Sequence, residues 1–555
     1  MPVKSRTPFY RILEIGSVFL LVISTIVILI ALPPQTQAQA INSDQIDVIT
    51  SAMPNQGWAP LTVYFSAFAS ESQTGQIVKY EWDLDGNGIY DTDATAQNGY
   101  AQYEYNKPGV YTISLRLTDS LGNQSVGTTT ITVRHPGSSS VDYWTIFNQE
   151  EVQKITVSLT QANWDLMWVN IEDKVEVPAD AIIFNETLED VGFRMRGQFS
   201  MRESGQKKPW KINTDAYIAD QEYNNLRQIL LINAIGDETL MKEMLAYNMM
   251  HFAGVPASHI SYVELWIDIK DDTTPPEFWG VYTMIERVDR KFIGSRFGTD
   301  AKDGNLYKAS HAQRGPMDLA YYGPTIESYP TQNGQYAYGK ENNEEENDYS
   351  DIVELCYVID GVNYATPEDF AAALEEVFNV DGYLRYQAAN DLLMNWDSYL
   401  YTGNNFYLFH NPVTDKFEWI PWDLTWGGES NMVIMDSNVQ GLSENAPLYE
   451  HVFEVERYRK QYAAYLDLLM RYYFNEQNIY QETSQYYTLI RPYMMQGSGD
   501  KMFTGDGWFS MEQFDNSWQS LSKLAGQRDA YLRQLLNNKT YLLPDPQSPE
   551  EVTDE

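Results

Sequence analysis

Two kinds of hydrophobic patterning divide the chain. Between residues 45 and 135, apolar and polar side chains alternate: residues 62–68, 111–117 and 128–133 each put every second side chain on one face, the period of a half-buried strand. Pro60, Gly86, Gly88, Pro108-Gly109 and Gly122-Asn123 stand between these runs and supply turns. Short strands at this spacing predict an all-β sandwich of the Ig-like kind. From 145 to 543 the pattern is mixed. Strands are predicted over 181–184, 191–196, 210–213, 228–232, 262–267 and 280–285, and a helix over 239–252 closed by Gly254 and Pro256. Thr366-Pro367-Glu368-Asp369 reads as an N-cap, a proline at the first helical position and two first-turn acids, opening a helix to Phe378. Further helices are predicted over 381–394, 449–473, 480–494 and 511–536. Strands come mainly first and helices mainly last, the order of a two-lobed α+β domain with a cleft between a sheet-rich and a helical lobe.

The segments between these blocks differ in composition. Residues 136–144 form a linker, and His135-Pro136-Gly137-Ser138-Ser139-Ser140 has the make-up of a flexible one. Residues 341–351 read as an acidic, solvated insertion, and 544–555 as a disordered acidic tail. At the N-terminus, Lys4, Arg6 and Arg11 precede an uncharged apolar run over 15–32, and Ala38-Gln39-Ala40 ends the segment with a small-x-small site. Basic flank, apolar core and such a site make residues 1–40 a secretory signal peptide; an uncleaved anchor is the second reading. Both readings put the rest of the chain outside the cytoplasm, secreted or at the cell surface.

Charge and cysteine content narrow the function. A formal net charge of −39 repels nucleic acid and anionic membrane and favours solubility. The single cysteine, Cys356, forbids an intrachain disulfide, and its place in the apolar run 352–359 makes it a small buried hydrophobe. The chain has no Gly-x4-Gly-Lys-Ser/Thr, no Gly-x-Gly-x-x-Gly, no His-x3-His and no Gly-x-Ser-x-Gly, which removes several enzyme classes. In the sandwich, Asp83, Asp85, Asn87 and Asp91 place oxygens at alternate positions with Gly88 sixth, like a calcium loop, but Ala94 stands where a bidentate Glu belongs. A polar hairpin turn and a weak calcium site are both open readings.

Phosphoryl transfer needs a cation on the nucleotide phosphates, a carboxylate near the acceptor hydroxyl, and oxygens for Mg²⁺. Lys211 on a first-lobe strand, Glu243 on the following helix, Asp397 in Asn395-Trp396-Asp397, Asn404 and Asn405, and Asp423 in Ile420-Pro421-Trp422-Asp423 supply these groups in the order of a protein-kinase site. Order alone is a weak signal in so acidic a chain. Arg194 and Arg196 alternate on one strand and therefore share a face, which for two charges is a cleft or solvent.

Two resemblances sharpen this. Tyr80-Glu81-Trp82-Asp83-Leu84-Asp85-Gly86-Asn87-Gly88, Pro108-Gly109-Val110-Tyr111 and Leu117-Thr118-Asp119 resemble a PKD (polycystic kidney disease) repeat, a class of extracellular spacer and binding modules. Arg194-Met195-Arg196-Gly197, Lys208-Pro209-Trp210-Lys211-Ile212, Leu231-Ile232-Asn233, Gly280-Val281-Tyr282 with Glu286, Gly304-Asn305-Leu306-Tyr307-Lys308, Asn405-Phe406-Tyr407-Leu408-Phe409 and Phe417 to Asp423 resemble successive blocks of the CotH (spore coat protein H) kinase family. That resemblance implies an atypical secreted kinase fold that transfers the γ-phosphate of ATP, with Mg²⁺ or Mn²⁺, to Ser or Thr of surface or coat proteins. It implies phosphate binding by Lys211, the catalytic role for Asp397, and metal binding by Asn405 and Asp423. Glu243 would be the lysine's partner, Arg196 would lie near the phosphates, and Glu286 at the lobe junction would line the adenine pocket. The sequence departs from the family at Gln198-Phe199, where the family has a polar Asn-Ser pair, at the eight-residue gap from Asp397 to Asn405, and at Thr425. A catalytically inactive kinase fold acting as an adhesion protein is therefore the rival. Its sandwich and many of its 40 Tyr and 14 Trp would contact envelope protein or polysaccharide.

Overall fold

The computed structural model describes residues 45–539 apart from 136, 138, 140, 204, 425–426, 428–445 and 505–506. The signal-like segment, the acidic tail and Thr425 lie outside the described residues.

The N-terminal sandwich follows the alternation closely. Gly109–Asp119 and Gln124–Arg134 pair antiparallel at the centre of a sheet completed by Ile77–Asp83, Gln56–Trp58 and Thr92–Asp93, and Leu61–Ser66 sits between Ser51–Met53 and Ala101–Tyr105 in the facing sheet. The inward residues Phe65, Trp82, Ile113, Leu115, Leu117 and Ile131 form its core. The loop after Trp82 closes on itself: the Asp83 carboxylate accepts from the backbone N–H groups of Gly86, Asn87 and Gly88. The Asn87 backbone also donates to Asp85. Among the described residues no group of three acidic, His or Cys side chains is arranged to hold a metal. The geometry of Asp83, Asp85, Asn87 and Asp91 is that of a hydrogen-bonded turn, and it gives the calcium reading no support.

The larger domain begins with a barrel. Its strands are β1 (Gln153–Leu159), β2 (Val177–Ile183), β3 (Glu186–Met195), β4 (Trp210–Asn213), β5 (Gln228–Ile232), β6 (Ile260–Ile269) and β7 (Glu277–Ile285). They close in the order β1-β2-β3-β4-β5-β7-β6, and the one parallel pairing among them, β1 with β6, seals the ring. Phe193, Trp210, Ile212, Leu231, Leu265 and Tyr282 fill the interior. The pleat then turns Arg194 and Lys211, cross-strand partners, outward.

Helix α1 (Gln161–Val169) follows β1, and α2 (Lys242–Ala253) stands between β5 and β6. α2 is buried nearly all round through Met244, Leu245, Ala246, Tyr247, Met249, Met250 and Ala253. After α3 (Arg290–Phe297) the second lobe adds a sheet of β8 (Leu306–Lys308), β9 (Gly339–Lys340), β10 (Phe406–Asn411) and β11 (Lys416–Pro421), in the order β9-β8-β10-β11. Around it lie α4 (Pro367–Val377), α5 (Val380–Leu392), α6 (Pro447–Glu454), α7 (Glu456–Tyr472), α8 (Glu476–Ile490) and α9 (Met511–Asn537). The Thr366 cap forms as the sequence predicts, its hydroxyl accepting from Asp369 N–H, and Ser510 with Gln513 makes a capping box on α9. The predicted helix over 449–473 is two helices, because Val455 is extended and separates α6 from α7.

Two expectations about the connecting segments need correction. Residues 344–348 are solvated, but Asp351 is turned inward, accepting from Tyr307 Oη and Asn305 Nδ2 and bonded to His410. The sandwich is also no free spacer on a flexible tether. Arg385 donates to the Ala52 carbonyl, Lys460 pairs with Asp47 at 2.6 Å, Tyr100 donates to Asp467, and Tyr64 stacks on Tyr472 with centroids 4.2 Å apart. Met53 belongs to the same buried core as α2, α5 and α7.

Candidate functional site

β3 and β4 are joined by residues 196–209, which turn sharply at Gly197. Its φ is +83°, and a Cβ there would stand 2.4 Å from Ser200 Oγ, so the tight return requires glycine. Asn233, at the end of β5 and fully buried, donates to the carbonyls of Lys207 and Ser200 and holds this loop from beneath. Lys207 is drawn inward to Asp500 at 3.0 Å and to the Val281 carbonyl, which anchors the loop's return. Phe199 stays at the surface, 67% exposed.

Arg196 points from this loop into the cleft. Burial lowers its pKa, opposed by the nearby charges of Asp423 and Glu243. Glu243, at the start of α2, is pushed up to about 8 by burial and then by Asp423, with Arg196 opposing. Asp423, two residues beyond β11, has charged groups of both lobes near it yet is open to water. Burial raises its pKa, Asp397 adds to the rise, and Arg196 and Lys308 oppose it. Asp423 thus lies within electrostatic reach of Arg196, Asp397 and Lys308, and Glu243 within reach of Asp423 and Arg196. The Lys308 ammonium lies over the rings of Tyr407 and Trp422, 5.2 and 5.3 Å from their centroids.

The Asp397 loop is internally braced. Asn405 Nδ2 donates to the Asp397 carbonyl at 2.9 Å, Thr402 Oγ1 donates to the Asp397 carboxylate, and Trp422 N–H donates to the Asn405 carbonyl. Asn405 and Asp423 both have left-handed backbone, φ +61° and +50°, a conformation that Asn and Asp tolerate best among non-glycine residues and that gathers at functional sites. The eight-residue gap from Asp397 to Asn405 is spanned by the turn Tyr399–Thr402, so the two residues still meet.

Lys211 occupies a different part of the cleft. It is pushed down to about 8 by burial and by Arg194, Arg287 and Arg196, with Glu176 opposing. Glu176 in turn lies 3.6 Å from Arg194 Nε and accepts from Asn213. The expected pairing of Lys211 with Glu243 is therefore corrected: Arg196 is the cation beside Glu243. The physical reason is topological. β5 lies between Lys211 and α2, and its outward residue Leu230 packs in the core below.

Glu286 is corrected too. Its carboxylate takes a two-pronged ion pair from Arg296 at 2.6 and 2.9 Å and the backbone N–H of His259, and it is only 2% exposed. It ties α3 to the lobe junction, where Arg296, and not a nucleotide, takes up its carboxylate; its neighbour Arg287 is among the cations that lower the pKa of Lys211 and Arg194. Lys308, Arg287 and Lys174, which senses Arg194, Arg202 and Arg196, were not picked out from the sequence as site residues. Lys308 does lie inside a quoted block, and its place two residues beyond Leu306 on a short strand was the available signal.

Over residues 193–532, more than half of the chain, the sequence matches the family model described as CotH kinase protein. The chain belongs to the CotH kinase family. A second model, described as PKD domain, matches residues 48–134 of this CotH-family chain. Collagenase ColA of Bacillus cereus is 26% identical over 138 residues, 24% of this chain but 13% of the collagenase, so the chain spans only a small part of that relative. Among solved structures, the PKD1 domain of Vibrio anguillarum Epp is 26% identical, covering 17% of this chain and 99% of that one at a TM-score of 0.14. The PKD1 domain of the Vibrio cholerae metalloprotease PrtV is 26% identical, covering 16% and 95% at a TM-score of 0.13. Family membership makes a kinase-like activity the coarse expectation for the cleft, and among the described residues no helix is long and apolar enough to cross a membrane.

Proposed function

We propose that this chain is an extracytoplasmic protein kinase that transfers the γ-phosphate of ATP to Ser or Thr hydroxyls of surface or coat proteins. The observation that carries the reading is a concentration of cations on one face of the barrel, in a chain whose net charge is −39. Burial lowers the pKa of both Arg194 and Lys211, and Arg196 and Arg287 lower each of them further, with Glu176 as the nearby acid. A triphosphate is the ligand that relieves such mutual repulsion.

The donor set opposite suits a hard divalent cation. Asp423 and Asn405 present a carboxylate and an amide oxygen, the hard oxygen donors that Mg²⁺ takes, and Asp397 is a second carboxylate close to Asp423. Mg²⁺ held there would neutralise charge on the phosphates during transfer. Arg196, close to the charges of Asp423 and Glu243, would take the phosphates next to the metal, and Lys211 with Arg194 and Arg287 takes the charge farther along the barrel face. Asp397 accepts the acceptor hydroxyl's proton as its oxygen bonds to the γ-phosphorus and the bond to ADP breaks. The apolar run and small-x-small site at residues 1–40 support export, and the sandwich supports a place on a surface.

The test is transfer of labelled phosphate from ATP to casein or to the protein itself, with Mg²⁺ or Mn²⁺. Signal from Asp423→Ala equal to wild type defeats the reading. The rival, a non-catalytic binder of envelope protein or polysaccharide, is favoured by one feature: Trp144, 69% exposed, lies beside Trp58 with ring centroids 6.2 Å apart, a surface pair suited to sugar rings. No thermal shift with ATP and Mg²⁺, together with glycan binding lost in Trp144→Ala, supports the rival.

A further inference from the structure

α2 carries Glu243 at one end and meets the sandwich at the other. At that far end the helix stops at Gly254, left-handed at φ +79° with its N–H on the His251 and Met250 carbonyls. The Gly254 carbonyl then accepts from Gln56 Nε2 at 2.7 Å, and the sandwich comes so close that a Cβ on Gly254 would stand 2.5 Å from Asn55 Oδ1. Asn55 Nδ2 reaches Asp381 at the start of α5. Arg385 of α5, fully buried, donates to the carbonyls of Ala52 in the sandwich and Ala253 in α2. Tyr64 of the sandwich packs on Phe252 of α2 and Tyr472 of α7. Arg134, in the last sandwich strand, donates to the carbonyl of Arg296, the residue that grips Glu286 at the lobe junction.

One edge of the sandwich therefore touches α2, the helical lobe and the lobe junction together. The apolar packing of α2 fixes its depth but is non-directional; hydrogen bonds to its last carbonyls fix where it lies along and about its axis. α2 is a 12-residue rod, about 18 Å long, so a shift at Gly254 is carried to Glu243.

We propose that Asn55 and Gln56 of the PKD-type sandwich are positioning residues for the cleft, pinning the C-terminal end of α2 and thereby setting where its other end carries Glu243 in the cleft. The functional half of this inference rests on the kinase reading; the structural half does not. In this arrangement the sandwich is a built-in support for the cleft, and whatever engages its outer face bears on the position of α2.

The experiment compares the full-length protein with the double variant Asn55→Ala/Gln56→Ala and with Val126→Ala, which alters an exposed sandwich strand away from α2. Amide hydrogen exchange over residues 245–254 is expected to quicken roughly tenfold in the double variant, the scale of two net hydrogen bonds, while strands β3, β4 and β7 exchange as in wild type. For phosphate transfer, kcat is expected to fall by about tenfold or more with the acceptor KM unchanged. Unchanged exchange in α2, or an increase spread equally through barrel and sandwich, overturns the inference, as does a loosened α2 with unaltered kcat. If wild type itself binds no ATP, the kinase reading fails separately, and the exchange comparison still decides whether the sandwich pins α2.

Discussion

Arg196 and Lys211 leave neighbouring strands of one barrel face, yet they meet different charges, and the difference predicts different phenotypes. Arg196 senses both Glu243 and Asp423, where charge develops during transfer, so Arg196→Met is expected to lower kcat by about 10²–10³-fold. Lys211 senses Arg194, Arg287 and Arg196, so Lys211→Met is expected to act mainly on the KM for ATP. Steady-state kinetics of both variants decide this, and a larger kcat loss at Lys211 would reverse the assignment. The pH profile gives a second reading. With its pKa pushed down to about 8, Lys211 is charged below that pH and neutral above it. The kcat/KM for ATP, which reports the free enzyme, is then expected to fall as pH rises through 8, and Lys211→Arg is expected to flatten that limb. Away from the cleft, Lys207 and Asp500 are paired with both side chains 0% exposed. Lys207→Met leaves Asp500 buried without its cation and is expected to cost about 3–5 kcal/mol by urea denaturation; a loss below about 1 kcal/mol would show that Val281 N–H and Met502 N–H alone suffice for Asp500.

At the scale of elements, β4 and β5 were legible to the residue because alternation and flanking turns coincide there. β1 was missed, and with it the closure of the barrel: its parallel partner β6 lies more than 100 residues away, and local pattern carries no sign of such a pairing. α5 was legible as a helix but its surroundings were not. It buries Arg385, Gln387, Asn390 and Asp391, polar residues that normally mark a solvated face, because the sandwich and α7 supply partners for Arg385 and Asp391, Asp391 in turn accepts from Gln387, and Asn395 and Ser398 meet Asn390. The order of the candidate site residues was readable along the chain, whereas the exchange of Lys211 for Arg196 beside Glu243 depends on β5 standing in between. The junction of β8, β10 and the helix Ser350–Cys356 was also hidden, since Asp351 sits in an acidic run. There His410 lies between Asp351 at 3.0 Å and Asp415 at 3.1 Å and stacks on Phe417. Its hydrogen bond to Asp351 raises the His410 pKa, and bonds from His410, Tyr307 and Asn305 outweigh burial to lower that of Asp351. The histidine's contribution is full below its unfolded value of about 6.5 and is lost as pH rises through the higher folded value. The aspartate's is present above its unfolded value of about 3.9 and is lost as pH falls through the lower folded one. Wild type is therefore expected to exceed His410→Gln in stability most clearly between those limits, and the gap is expected to shrink above pH ~6.5. Urea midpoints from pH 5 to 8 measure it, and a gap that stays constant overturns the assignment.

For the whole molecule, the decisive feature is that the sandwich and the kinase-like domain share buried structure instead of being joined by a tether alone. Met53 lies in the same core as α2 and α7, Arg385 bonds carbonyls in both, and Lys460, 8% exposed, pairs with Asp47. A module that folded apart from the rest would strip Arg385 of the Ala52 carbonyl and Lys460 of Asp47, leaving Asp381 and Glu456 as their acidic partners in a largely buried setting where each lost partner is costly. The sandwich and the helical lobe are accordingly expected to unfold in one transition. Hydrogen exchange read along a urea series should give the same midpoint for Gly109–Asp119 of the sandwich and for α7. Tyr64→Ala, which removes the ring between Phe252 and Tyr472, should lower both midpoints together. A sandwich that melts by itself, with α7 still protected, would return it to the status of an independent spacer. The net charge of −39 acts on the same transition, because like charges repel most in the compact state. Added salt, which shortens the screening length to about 3 Å at 1 M, is thus expected to raise the common midpoint without separating the two regions. Separation at high salt would mean that ion pairs such as Lys460 with Asp47, and not the shared core, hold the sandwich in place.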